Sequence, residues 1–132
     1  SLSDLFCVER HKTNFLNIVK NKLDITFANE QEIMSLLNVK KFDEVINFAR
    51  TSNNLIIITR GDKGAVAVNK NDVIECAAKK NLKIKDLTGA GDLFASGFLH
   101  GLINNKTIKE SLETGTEMSS KVIQIIGARL KN

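Results

Sequence analysis

The chain has 132 residues, close to one domain by length, and 42% of them are apolar, so a compact core is within reach and a disordered chain is excluded. Its 19 Lys and Arg against 15 Asp and Glu leave a net charge of +4 with neither Trp nor Tyr for base stacking, and the basic residues are scattered, which argues against nucleic acid as a partner. No apolar run approaches the roughly 18 residues of a membrane span, and Ser1 to Val8 lacks the basic start and apolar centre of a secretory signal.

From Glu9 to Lys22 the apolar residues Phe15, Leu16, Ile18 and Val19 recur at helical spacing, which predicts a helix with basic side chains at its negative end. Asp24 to Ala28 is short and β-branched, a strand. Asn29 then caps a helix over Glu30 to Leu37, with Glu30 and Glu32 in its first turn. Phe42 to Arg50 forms the next helix, with Val45, Ile46 and Ala49 on one face. Leu55 to Thr59, LIIIT, is the continuous apolar run of a strand buried on both faces of a parallel sheet. After the turn Arg60 to Gly64, the runs AVAV and DVIECA flank Asn69-Lys70-Asn71 as a hairpin. Leu82 to Leu87 reads as a further strand. It leads into Gly89-Ala90-Gly91-Asp92 and an apolar helix to about Ile103. Ile108 to Ile126 completes the helices, with a bend expected at Gly115 and a stop at Gly127. The class is α/β. Phe6, Phe15, Phe94 and Phe98 read as core, and His11 and His100 as unpaired surface or core histidines. Cys7 and Cys76 lie far apart, match no metal spacing and read as free, buried thiols of a cytoplasmic protein.

The chemistry concentrates in Asp86 to Leu102, DLTGAGDLFASGFLHGL, which holds four of the eight glycines. A strand end, a glycine turn and a helix N-terminus bring the amides of Gly89, Ala90 and Gly91 together with the positive end of the helix dipole, a site suited to a phosphate or a developing anionic oxygen. Asp92 in the first turn stands where a carboxylate can take a proton from an attacking hydroxyl. Without context the same residues read as a plain turn with a dipole-matched carboxylate. Gly97 and Gly101, four apart within an apolar helix, imply close packing of that helix against the sheet. No Lys follows the glycines as in a P-loop, and GAGD is not GxGxxG.

DLTGAGDLFASGFL resembles the C-terminal signature of the ribokinase-like (PfkB) carbohydrate and nucleoside kinases, close to D-T-x-G-A-G-D-x-F-x-x-G-F, with Leu87 where the family usually has Thr. The resemblance implies that Asp92 is the catalytic base and that Gly89, Ala90 and Gly91 form an anion hole. It also implies that Asp86 and Thr88 lie near a monovalent cation, K+. Asn29-Glu30-Gln31-Glu32 resembles the family's N-x-x-E motif, with Asn29 near the transferred phosphoryl group and Glu32 organising Mg2+ partly through water. Thr59-Arg60-Gly61-Asp62-Lys63-Gly64 resembles the T-x-G-x-x-G segment, which places Thr59, Gly61 and Gly64 along the nucleotide phosphates. Taken alone, the first of these is a helix cap and the second any turn after a strand.

SLSDLFCVERHK followed by DITFANEQEIMSLL, and the closing IIGAR, resemble the adenosine kinase branch. The implied fold is the C-terminal part of a ribokinase-like domain over residues 1–132: a mostly parallel sheet flanked by helices, with a β-hairpin, the N-terminal part and lid being absent. The implied activity is ATP-dependent phosphorylation of a primary hydroxyl of a ribosyl compound, foremost adenosine. A sugar kinase and an inactive nucleotide-binding fragment are the alternatives. The nucleotide base is expected between the GAGD helix and the C-terminal helix. The partner is a small-molecule nucleoside or sugar, with neither nucleic acid nor membrane involved. The start at SLSD, without Met, reads as a cut through a larger fold. Such a piece is expected to be marginally stable or to self-associate through uncovered apolar surface.

Overall fold

A computed structural model describes Ser1, Leu2 and residues 4–130. The elements in order are α1 (Leu5–Arg10), α2 (Lys12–Asn21), β1 (Ile25–Asn29), α3 (Glu30–Leu37), α4 (Phe42–Thr51), β2 (Leu55–Thr59), β3 (Ala65–Val68), β4 (Val73–Cys76), α5 (Ala90–Ile103) and α6 (Ile108–Val122). A single 3-10 turn, Gly61–Lys63, stands between β2 and β3. The chain divides into two compact units, one of Ser1–Arg60 with Val66–Ile74 and one of Gly61–Ala65 with Glu75–Asn132.

The four strands form one sheet in the order β1-β2-β3-β4. β1 and β2 run parallel, in register from Ile25 beside Leu55 to Asn29 beside Thr59. The short connector Arg60 to Gly64 is too brief for a crossover, so β3 returns antiparallel to β2 and the sheet is mixed. Ile56, Ile57 and Ile58 are fully buried, each contributing roughly 1.5–3 kcal/mol relative to exposure. Their burial on both faces is what the unbroken apolar run predicts. The hairpin turn is held by the Asn69 side chain, whose Oδ1 accepts from Asn71 N at 2.8 Å and Asp72 N at 2.7 Å, so Asn is there for its carbonyl.

In the first unit, Val8 of α1, Val19 of α2, Ile33 and Leu36 of α3, and Val45 of α4 join Ile56 in one core. The predicted helix over Glu9 to Lys22 is instead two helices that meet at His11. α1 starts at Leu5 because Asp4 Oδ1 accepts from Cys7 N at 2.9 Å, a cap that apolar periodicity does not reveal. Phe6, expected in the core, is 81% exposed, and Cys7 is half-buried with its thiol donating to Asp4 Oδ2 at 3.4 Å. Phe6 faces outward and Cys7 sits at the edge, since only Val8 of this short helix reaches the core.

In the second unit, α5 and α6 pack backbone to backbone, so Gly97 and Gly101, expected to face the sheet, lie instead against a helix, where their missing side chains let the two backbones meet. A Cβ on Gly97 would lie 2.9 Å from Gly115 Cα, and one on Gly115 would lie 2.7 Å from the Phe94 carbonyl oxygen. Gly115 thus serves close approach, and α6 runs as one helix through it. That helix ends at Val122 rather than Ile126, since Gln124 and Ile125 donate to Lys121 and Val122 three residues back and tighten the chain out of the helix. The expected strand over Leu82 to Leu87 is absent. Lys85 N and Asp86 N both donate to Ile123 O, at 2.8 and 3.3 Å, so the segment is tied to one carbonyl and has no strand ladder.

Candidate active site

The first unit brings Asn29, Glu32 and Thr59 together. Asn29 is both the last residue of β1 and the cap of α3, and the parallel register sets Thr59 beside it at the carboxyl end of the strand pair. Ligands of open α/β sheets bind at that end. Asn29 Oδ1 accepts from Glu32 N at 2.8 Å and Glu32 Oε2 accepts from Asn29 N at 2.9 Å, a reciprocal capping box. Glu32 is thereby held buried at 6% exposure, while Asn29 remains exposed. The predicted strand-cap-helix sequence is found as expected.

No group of three or more His, Cys, Asp or Glu converges among the described residues, so a metal here would not sit in an all-protein cage. Mg2+ does not require one, because it keeps several waters and binds through one or two carboxylates plus phosphates. Glu32 fits that donor set: Oε1 takes no part in the capping box, and the backbone amide of Asn29 fixes the carboxylate's direction.

Asp86, Thr88, Gly89, Gly91 and Asp92 are brought together in the second unit. Helices α1, α3 and α6 start on side-chain caps from Asp4, Asn29 and Thr107, whereas α2, α4 and α5 have no side-chain cap bond, and α5 alone of these three starts on a glycine, Gly89. Gly91 and Asp92 are the second and third residues of α5, whose N–H groups helix geometry leaves without an intrahelical carbonyl. Ala90 differs from expectation, because its N–H is turned onto Leu87 O at 3.2 Å and belongs to the turn. Gly89 has φ +78°, and a Cβ there would come within 2.7 Å of Ala128 Cβ. Around Gly91 a Cβ would meet nothing within 4 Å. Protein packing therefore requires glycine at 89 and leaves open space at 91. Asp92 is exposed at the positive end of α5.

Asp86 and Thr88, expected beside a monovalent cation, are engaged with each other. Asp86 Oδ1 accepts from Thr88 N at 2.9 Å and from Thr88 Oγ1 at 2.6 Å, while Oδ2 accepts from Gly127 N at 2.9 Å. The bonds from the Thr88 hydroxyl and amide, and then the Gly127 amide, hold the Asp86 carboxyl below its ordinary range. Both oxygens serve as a brace for the glycine turn. Gly61 has φ +60° with open space around its Cβ position, whereas a Cβ on Gly64 would overlap the Cys76 carbonyl oxygen. Gly64 is thus demanded by the backbone passing it.

Gly97 lies against Gly115 and Gly101 against Ser111, so α5 and α6 approach closely at those two positions. A cleft of about 610 Å³ in this unit is lined by Cys76, Lys79, Lys106, Thr116 and Glu117 among others. Sequence reading also missed Gly127 and Ala128, which fasten the glycine turn, and Arg60, which pairs with Glu30 at 3.2 Å. Only IIGAR hinted at the first, and no spacing marks the second.

The structure thus combines a mixed α/β sheet, with a capped Asn-Glu pair at the carboxyl end of its parallel strands, and a separate glycine turn followed by an exposed Asp. Residues 8–132 match the pattern of the pfkB family carbohydrate kinases, and the chain belongs to that family. Among solved structures it is similar to a probable sugar kinase from Rhizobium etli CFN 42, with a TM-score of 0.91 and 38% identity over 97% of this chain and 39% of that one. It is equally similar to the adenosine kinase from Sinorhizobium meliloti, with a TM-score of 0.91 and 35% identity over 98% of this chain and 40% of that one. A Dictyostelium discoideum ribokinase is 29% identical over 90% of this chain and 36% of its own length. The chain therefore spans well under half the length of these relatives.

Proposed function

We propose that the chain is the nucleotide-binding and catalytic part of an ATP-dependent kinase that phosphorylates a primary hydroxyl of a ribosyl compound, foremost the 5′-hydroxyl of adenosine. The observation that carries this reading is the start of α5. Its N-terminus is uncapped, its second residue is a glycine with open space, and its third is an exposed carboxylate. Amides of that turn are suited to the negative charge of the transferring group. In the transfer, the 5′-oxygen bonds to the γ-phosphorus, the bond from that phosphorus to the bridging oxygen breaks, ADP leaves, and the hydroxyl proton passes to Asp92. Asn29, Thr59 and Gly61 line the nucleotide phosphates in this reading. Glu32 would hold Mg2+ partly through water, and the ion when bound neutralises phosphate charge. Asp86 and Thr88 brace the turn.

The similarity to an adenosine kinase and the SLSDLF and DITFANE segments support adenosine. A sugar kinase is the second reading, favoured by the equal likeness to the probable sugar kinase. Calorimetric titration with Mg–ATP, alongside ADP release in the presence of adenosine, ribose or fructose, tests both. Nucleotide binding with adenosine-dependent release supports the first, sugar-dependent release the second, and absence of Mg–ATP binding removes both. Binding without turnover identifies the chain as the nucleotide-binding part alone.

No helix among the described residues is long and apolar enough to cross a membrane. Both cysteines are free, in keeping with a cytoplasmic setting. Self-association belongs to the same proposal, since Ile84, Leu87, Ile103 and Ile126 are all more than half exposed. Sedimentation as a strict monomer at every concentration would remove it.

A further inference from the structure

Beyond the last rung of the parallel pair, Asn29 beside Thr59, no ladder holds the two strands together. β1 turns into α3, and β2 leads into the 3-10 turn that starts at Gly61, a glycine at φ +60°. The next residues along each strand are Glu30 and Arg60. Their side chains supply a rung that the backbone does not: Arg60 Nε donates to Glu30 Oε2 at 3.3 Å and Arg60 Nη2 donates to Glu30 Oε1 at 3.2 Å. The guanidinium also stacks on Phe42 of α4, with Cζ 3.6 Å from the ring centroid. Side-chain exposures of 20% and 21% make this a partly desolvated pair, screened less than a surface bridge. A two-pronged bond fixes direction as well as distance, and the aromatic face removes the remaining swing of the fork.

We infer that Arg60 is a positioning residue for nucleotide binding: with Glu30 and Phe42 it clasps the ends of β1 and β2 so that Asn29, Glu32 and Thr59 are already in register when the phosphates arrive. The inference rests on the kinase reading above for its ligand. It needs no contact between Arg60 and the nucleotide. Without the clasp, ordering of the two segments would be required of each binding event, and the loss would appear in affinity.

The test uses the full chain and four variants, Arg60→Ala, Arg60→Lys, Glu30→Ala and the Arg60→Ala/Glu30→Ala double. Mg–ATP affinity is measured by calorimetry, and amide hydrogen exchange at Asn29 and Glu32 is followed in the free protein. Arg60→Ala and Glu30→Ala are each expected to weaken Mg–ATP about tenfold, the double no more than either single, with partial recovery in Arg60→Lys. Exchange at both amides should quicken by about the same factor in the two Ala variants. Unchanged affinity in folded Arg60→Ala overturns the inference. So does weak binding by Arg60→Ala with normal binding by Glu30→Ala, which would make Arg60 a direct phosphate ligand. If the wild-type chain binds no Mg–ATP, the kinase reading fails and the nucleotide-binding role of Arg60 falls with it; if the wild type binds but exchange at Asn29 and Glu32 is unchanged in the Ala variants, the clasp alone is overturned.

Discussion

Asp86 accepts the amide of Gly127 at 2.9 Å, joining positions 41 residues apart and tying the glycine turn before α5 to the segment after α6. Gly127 has φ +92°, a conformation glycine adopts without strain, so the amide is presented where few residues could place it. Because the donors to Asp86 are stronger for its ionised form, its carboxyl titrates below the usual carboxylate range. A group depressed in the folded state stabilises above its unfolded pKa and loses that contribution as pH falls through the folded value. The turn should therefore loosen only in strong acid, below about pH 4. Asp86→Asn should weaken the turn at neutral pH and flatten this acid dependence. Carbon shifts of the Asp86 carboxyl across a pH titration, with exchange of the Gly127 amide, read it directly.

Gly89 and Gly91 should respond in opposite ways to the same substitution. Gly89→Ala forces a side chain into positive φ and against Ala128, and is expected to destabilise by about 2 kcal/mol. Gly91→Ala meets open space and replaces a helical glycine, so stability should hold or rise by up to about 1 kcal/mol. If an anion approaches the Gly91 amide, the same variant should nonetheless lose nucleotide binding or phosphoryl transfer. Paired denaturant melts and calorimetry separate the two effects.

Asp92→Asn should lower turnover of a complete kinase carrying this segment by about a hundredfold or more while Mg–ATP affinity stays within a few-fold of wild type. The change removes a proton acceptor and preserves size. Near-normal turnover would remove Asp92 from the role of base.

Gly97→Ala should cost about 1–3 kcal/mol, because its Cβ would lie 2.9 Å from both Gly115 Cα and the Thr114 carbonyl oxygen, neither of which can rotate away. Thermal unfolding is the measure. A neutral result would mean that α5 and α6 slide apart at little expense.

What the sequence made legible follows physical signals that are local. Asn29 with Glu32 three residues on is a capping box, and α3 begins at the predicted residue. LIIIT needed no partner to be recognised as a buried strand. Leu82 to Leu87 failed for the converse reason: a strand exists only beside a neighbour, and Ile123 offers one carbonyl rather than a ladder. The motif residues Asp86 to Asp92 were recognisable as a group, but not the bond from Asp86 to Gly127, which depends on the turn after α6. Arg60 was passed over because neither Glu30 nor Phe42 is near it in sequence.

The three adjacent isoleucines of β2 carry a further consequence. Buried on both faces, Ile56, Ile57 and Ile58 are nearly interchangeable, so sliding the strand by one position would swap one isoleucine for another and leave the apolar interior almost as well filled. What spells out the alignment is polar and sits at the two ends. Asn54 donates to Val19 O at 2.7 Å and to Thr26 Oγ1 at 3.2 Å at one end, and Arg60 grips Glu30 at the other. The greasy middle supplies adhesion, and the polar ends work as a vernier that reads out which rung is which.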